Sequence, residues 1–288
     1  MRFLFVLIPA LLLGMACSDD SPTDNDPPPP PPQDNTFSVP AEHPTIAEAI
    51  AAASSGDTVL VADGTYTGDG NRDLDLGGKS LIIVSENGPL TTTLDLAGDS
   101  ANPHLGFLMN SGEDNAVIDG FTIIRGYNNN GGAINIQSCD PTIRNCVFVD
   151  NTAPVSGGAI WCKAGSPTIE NCTFVGNHGQ VGSALFTNTG GTAQVSNCLI
   201  AYGTGELAVY VNRADAVPEL RCTNMFSNED GSWVEDLEGA DTLFNNLAVD
   251  PLFCDSAGAD YRLQPASPCA PANNACNNLI GALKTGCQ

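Results

Sequence analysis

The chain has 288 residues, of which only 15% are charged, and its ten Lys and Arg stand against 33 Asp and Glu for a formal net charge of −23. That balance argues against nucleic acid or an anionic membrane surface as a partner, since both are gripped through clustered basic side chains, and it suits solubility outside a cell. Thirty glycines, abundant Asn, Thr and Asp, and no long stretch of helical amphipathic period set aside a helical bundle in favour of an all-β chain with many turns.

The N-terminus reads as an export signal over residues 1–16: Met1 and Arg2, an apolar run from Phe3 to Leu13, then Gly14, Met15 and Ala16 before Cys17. The run is too short to span a bilayer. Small residues ahead of Cys17 resemble a bacterial lipobox, which implies lipidation of Cys17. Gly14 stands where that motif usually carries Leu, so ordinary secretion is the alternative. Residues 17–36, with the stretch SDDSPTDNDPPPPPPQDN, are acidic and proline-rich and predict a semi-rigid spacer. Ser18-Asp19-Asp20 also resembles acidic surface-export signals. Together these features imply display at a bacterial outer membrane or cell surface, with the lipid anchor as the only membrane contact, or else secretion.

Next comes HPTIAEAIAAASSGDTVLVADGTY, residues 43–66. Thr45-x-x-Glu48 suits a capping box, and Ile46, Ala49, Ile50 and Ala53 share one helical face. A short helix there would cover the open end of the downstream region and shield its first strand from edge pairing.

That region is repetitive. GGAI occurs at 131–134 and again at 157–160, and P-T-I-x-N-C-x-F-V-x-N runs from Pro141 to Asn151 and from Pro167 to Asn177. Ile118, Ile143, Ile169, Val195 and Leu220 are equivalent, at steps of 25, 26, 26 and 25 residues. Each copy holds about three short alternating runs separated by Gly, Asn or Pro, and the apolar face of one copy buries itself only against another. For Ile143, Cys146 and Phe148 all to face inward, the strand must bend at Asn145, and Asn tolerates a left-handed backbone. Asn145, Asn171 and Asn197 are then expected to stack as an amide ladder. Cys146, Cys172 and Cys198 are expected as a column of free, buried thiols acting as small apolar groups.

These rungs resemble the right-handed parallel β-helix proteins of the pectin-lyase-like superfamily over roughly residues 37–288. Residues 43–66 look like that family's opening segment, and DPLFCDSAGADYRLQPASPCAP, residues 250–271, like its closing segment. The resemblance implies an all-β, right-handed, single-stranded solenoid domain over 37–288, with a short N-terminal capping helix and about ten rungs by dividing the domain by the period. It says little about function, because the superfamily holds lyases, hydrolases, esterases, epimerases, adhesins and proteins without known activity. Disulfides among Cys254, Cys269, Cys276 and Cys287 would clamp the last turns, with the pairing open. No CxxC is present, and zinc is not expected.

If Ile160 and Cys162 face inward, Trp161 and Lys163 face outward, with Asn135, Phe186 and Tyr210 beside Trp161 and with Gln137, Asn188 and Asn212 beside Lys163. Rings and amides in adjacent rows suit a saccharide. They equally suit a cross-rung aromatic ladder that stabilises the sheet. Another outward column reads Asp119, Arg144, Glu170, Ser196 and Arg221, and predicts an Arg144–Glu170 ion pair. Lys163 could serve as the base of a calcium-dependent lyase, yet the columns around it hold no Asp or Glu. His43, His104 and His178 lie outside the strand motifs, with Asn177-His178-Gly179 read as a corner turn. The segment 227–246 breaks the rung pattern and carries Glu229, Asp230, Glu235, Asp236, Glu238 and Asp241. An acidic solvated loop is expected there, with cation binding as the second choice.

The sequence therefore predicts a monomeric surface β-helix that recognises a polysaccharide or a cell-surface protein through Trp161, Phe186, Tyr210, Lys163, Gln137, Asn188 and Asn212. It predicts no catalytic residues, no resident metal and no cofactor, with calcium the one ion to test. The alternatives are a lyase or hydrolase acting on acidic polysaccharide and a passive structural adhesin.

Overall fold

A segment such as Thr142-Ile143-Arg144 buries only its middle residue, so it is stable only when another such segment lies on each side. The computed structural model describes residues 35–231, 233 and 237–287, within a compact unit spanning Asp34–Gln288. The expected signal peptide, Cys17 and the spacer up to residue 34 lie outside the described residues, as do Glu235 and Asp236.

The helix α1, Ile46–Ala52, stands where the apolar spacing put it. Thr45 caps it through Oγ1, which accepts from the Glu48 N–H at 3.3 Å. Its face of Ile46, Ala49, Ile50 and Ala53 is buried. Lys79 reaches the last turn and donates from Nζ to the Ile50 carbonyl at 2.7 Å and the Ala51 carbonyl at 3.2 Å, a cation at the negative end of the helix.

Beyond α1 the chain coils through three parallel sheets of eight, seven and six strands. One rung contributes Thr142–Arg144 to the first sheet, Val147–Val149 to the second and Ile160–Lys163 to the third. The register in the first sheet aligns Ile118, Ile143, Ile169, Val195 and Leu220 as the repeat predicts, and extends upstream through Ile83 and Val59. Phe148 stacks on Phe174 in the second sheet, with ring centroids 4.8 Å apart. Each such inward Ile, Leu or Phe contributes about 1.5–3 kcal/mol on burial. The first sheet has eight strands rather than the ten rungs expected. The connection from Ile83 to Ile118 is longer than one period, and the last forty or so residues form no rungs at all.

Asn145, Asn171 and Asn197 take the left-handed backbone that the inward run requires, with φ of 52°, 50° and 52°. The amide ladder that bonds rung to rung, however, is a different column. Asn151 Oδ1 accepts from the Gly126 N–H at 2.8 Å, and Asn151 donates from its backbone N–H and from Nδ2 to Asn177 Oδ1, both at 3.0 Å. Asn177 donates in turn to the Phe148 carbonyl at 2.9 Å. Asn228 continues the column one rung past Gly203, whose N–H it accepts at 2.9 Å. The amide position that pairs rungs is thus the buried corner after the second sheet. The corner at Asn145 takes Asn for its left-handed backbone, and the Asn145 amide turns to Asp119 rather than to the asparagine of the next rung. Of the expected corner turn Asn177-His178-Gly179, only Asn177 lies at the corner, buried in this column, while His178 and Gly179 open the strand His178–Val181.

The cysteine column forms as expected: Cys146, Cys172 and Cys198 are free and buried, and each thiol donates to the carbonyl two residues earlier, at 3.1 Å, 3.3 Å and 3.3 Å. Thr223 takes the next position and makes the same bond to the Arg221 carbonyl at 3.1 Å.

The closing segment does not sit on the end of the coil. Phe253–Asp255 and Asp260–Leu263 form an antiparallel pair, and the chain then runs back over the outer face of the second sheet. Phe253, Leu263, Cys269 and Ile280 cover Val175, Leu199 and Ala201, and Leu283 covers Val147 and Val149. The Ala282 N–H donates to Thr173 Oγ1 at 2.9 Å and the Gly281 N–H to the Asn197 carbonyl at 2.7 Å. Of the late cysteines, Cys254 pairs with Cys287 as a clamp within this segment. Cys276 instead pairs with Cys222 on the last rung, and Cys269 is free and buried. The Cys222–Cys276 bridge spans 54 residues, a loop whose closure restricts the unfolded chain by about 4 kcal/mol in the chain-entropy account. Among the described residues of 227–246, Leu237 is buried in the core of the coil and Trp233 and Ala240 pack against it. Trp233 donates from Nε1 to the Leu247 carbonyl at 3.1 Å.

Replacing Asn177 by Ala strands the buried Asn151 N–H, and the expected loss is about 1–3 kcal/mol of unfolding free energy. Asn171→Gly, which keeps the left-handed corner, should cost less than 1 kcal/mol by order of magnitude. Urea unfolding of the two variants side by side checks the ranking, and equal losses would contradict the division of labour between the two asparagine columns.

Candidate functional site

The GGAI motif builds the wall of the third sheet's outer face. The first Gly turns the chain, with φ of 77° at Gly131 and 69° at Gly157, and the second lets rungs approach, since a Cβ at Gly158 would overlap the Ser183 carbonyl. The segments entering these turns form a small parallel sheet of three strands, Thr152–Ser156, His178–Val181 and Thr204–Glu206. Each of these strands leads through a short turn into a strand of the third sheet, Ile160–Lys163, Leu185–Asn188 and Val209–Val211.

On that face the expected columns are in register. Asn135, Trp161, Phe186 and Tyr210 align, and so do Gln137, Lys163 and Asn188. Asn212 follows, donating from Nδ2 to Asn188 Oδ1 at 3.1 Å. Trp161 and Phe186 rings stack at 6.3 Å and 2°, and Phe186 and Tyr210 at 5.7 Å and 6°.

Burial separates the two rows. Trp161 is 9% exposed and Phe186 7%, although neither belongs to the coil interior. Asn135, 7% exposed, donates from Nδ2 to the Asn130 carbonyl at 2.8 Å and accepts from Gln137 Nε2 at 3.1 Å. Little of the two larger rings is therefore left for a ligand, and Tyr210 alone of the three is half-buried. Lys163 and Asn212 are exposed, and Gln137 and Asn188 are partly so. The accessible part of the predicted site is its polar row.

The Asp119 column is in register too, but the ion pair forms the other way. Arg144 donates from Nε to Asp119 Oδ2 at 2.7 Å, and Asn145 Nδ2 bonds the other oxygen at 2.7 Å. Asp119 wins over Glu170 because its short side chain holds both donors at once. Every described Arg has a carboxylate partner of this kind: Arg72, Arg125, Arg144, Arg213, Arg221 and Arg262. Lys79 is taken up by α1. Among the described residues this leaves the ammonium groups of Lys163 and Lys284 without a carboxylate partner.

The histidines are dispersed. His104 Nδ1 lies 2.6 Å from Asp73 Oδ2, His178 Nδ1 lies 3.0 Å from Thr204 Oγ1, and His43 packs on Phe37. In the 227–246 segment Glu229 is engaged, accepting from the Gly205 N–H at 2.8 Å. Among the described residues no three His, Cys, Asp or Glu side chains gather closely enough to hold a metal ion. The thiols are not set up as nucleophiles either. Burial pushes Cys139 up to about 12 and Cys162 and Cys269 up to about 11, and Cys172 is raised well above its ordinary value by the same desolvation and by its thiol neighbours.

Sequence reasoning missed Lys284 and the surface around it. The available signal was the apolar outward residues Val147, Val149, Val175, Leu199 and Ala201, which a solvated face would not carry.

Trp161→Ala removes a ring held between two neighbouring rungs and should lower stability by about 3–5 kcal/mol, read by thermal or urea unfolding. A change below 1 kcal/mol would show that the column does not support the sheet. Iodoacetamide mapped by peptide mass spectrometry should leave Cys139, Cys162 and Cys172 unlabelled in the native protein at neutral pH and label them after denaturation, because their thiolates are suppressed; native labelling at neutral pH would contradict their burial.

Residues 100–246, more than half of the chain, match the family model described as right handed beta helix region. None of the curated proteins compared with the chain matches it. With three parallel sheets wound from successive rungs, the chain belongs to the right-handed β-helix family.

Proposed function

We propose that this β-helix is a recognition module that holds an acidic glycan along the outer face of its third sheet. Lys163 supplies the contact for a sugar carboxylate, Gln137, Asn188 and Asn212 meet hydroxyl groups, and Tyr210 offers a ring face. Trp161 and Phe186 serve as the packed support of that row. The observation that carries this reading is the position of Lys163: an exposed ammonium without a carboxylate partner, in a row otherwise made of neutral amides, on a chain whose described arginines are all paired. The export signal and lipid anchor read from the N-terminus would place this face outside the cell.

Isothermal titration of the full chain with trigalacturonate tests the proposal. Lys163→Gln is expected to weaken binding about tenfold, as loss of one charge-assisted contact does, while unfolding is unchanged. Unaltered affinity would overturn the assignment. Accumulation of unsaturated uronate, followed by ultraviolet absorbance, would replace recognition by β-elimination with Lys163 as the base.

A further inference from the structure

The return of the C-terminal segment over the second sheet creates a groove that none of the repeats predicts. Its floor is the corner between the first and second sheets, where Asn145, Asn171 and Asn197 project one above another at about 4.8 Å per rung. Its wall is Asn278 and Lys284 on the returning chain, and the cavity between them is about 350 Å³. A second cavity of about 470 Å³ shares Asn145 and Lys284 and continues along the same corner. Asn145 spends its amide N–H on Asp119. The side chains of Asn171 and Asn197 have no hydrogen-bond partner among the described residues, although each amide offers two donors and an acceptor. Lys284 is the second of the two ammonium groups without a carboxylate.

We propose that this groove is a second ligand site, separate from the third-sheet face, for a polyhydroxylated chain bearing a carboxylate, that is, a uronate-containing oligosaccharide. The amides of Asn171 and Asn197 take hydroxyl groups, and Lys284 takes the carboxylate. Spacing selects the class. An extended peptide presents like groups every two residues, about 6.8 Å, out of step with rungs at about 4.8 Å, whereas a pyranose unit advances by close to one rung. Charge selects within it, because a polyphosphate would need several cations and the groove has one. The cavity volumes fall in the range that ordinarily encloses a small ligand of a few rings. The wall depends on the Cys222–Cys276 and Cys254–Cys287 bridges, which fix the returning chain on both sides of residues 278–284.

The test uses the full chain, with trigalacturonate and neutral maltotriose as probes, in titration calorimetry and in amide-resolved NMR. Asn171→Gly with Asn197→Gly preserves the left-handed corners and removes both amides. This pair should abolish the shifts at residues 278–284 and weaken that site at least about tenfold. Lys284→Gln should weaken trigalacturonate about five- to tenfold and leave maltotriose unchanged. Lys163→Gln should leave the shifts at 278–284 as they were, so loss of the third-sheet site and loss of this one are read separately. If the asparagine pair does not fold, Lys284→Gln carries the test alone. Trigalacturonate shifts absent from residues 278–284, or undiminished in Lys284→Gln, would overturn the proposal.

Discussion

Every strand of the coil is bonded along the coil axis, to the rung before or the rung after, and none is bonded within its own rung. The structure therefore depends on one constraint: each rung must present the same backbone path at about 4.8 Å above the last. Side chains are selected in columns rather than in segments. An apolar column such as Ile118 to Leu220 satisfies the constraint with any residue of suitable size. A buried polar column satisfies it only if each group bonds its neighbour, which is what Asn151 and Asn177 do through both ends of the amide. Where that column is interrupted at Gly203, the space is taken by the Ser183 hydroxyl, and a Cβ there would collide with it.

The corners carry the cost of this repetition. Several columns of residues stand at positive φ, and only some are residues that tolerate it: Arg125, Asp150, Gly176, Tyr202 and Ser227 occupy one column, and Ser138, Ala164 and Thr189 another. A non-glycine residue in that region costs about 1–2 kcal/mol. The rungs above and below hold the backbone there, so the penalty is offset by interactions of the stack and not by the residue itself.

Column selection explains which features are legible in the sequence. The first and third sheets are legible because Ile143, Ile169 and Val195, and Ile160 with Trp161, sit on a period the eye can align, and the register of Tyr210 comes with them. The corner at Asn145 is legible because Asn marks a left-handed residue; the corner at Tyr202 is not, because nothing about Tyr signals one. Sequence alone puts the amide ladder on the wrong asparagines for a related reason. Asn145 and Asn151 repeat with one period, and only burial tells which amide faces the stack. The returning C-terminal chain is invisible to repeat reasoning altogether, since its partners Val147, Val149 and Leu199 lie on the face that alternation assigns to solvent. The candidate site is half legible: alternation yields its rows, but it does not report how far packing buries Trp161 and Phe186 within their row.

A chain of net charge −23 is at first sight a poor receptor for an acidic glycan. Long-range repulsion, however, is a property of the whole field, and at physiological ionic strength it decays over about 8 Å. What a bound sugar meets is local. Around Lys163 the neighbours are amides. The Asp119 carboxylate, which lines the same cavity as Lys284, is already held by Arg144 and Asn145. The pairing of every described Arg serves the same end, because an acidic surface whose cations are all neutralised offers an anion few places to rest. On the proposed reading, the two described ammonium groups without a carboxylate partner would decide where it does, and the surrounding negative charge would disfavour anions over the remainder of the surface. Acidity would then be the source of selectivity for the proposed ligand, suppressing nonspecific contact and leaving recognition to short-range geometry at the two lysines.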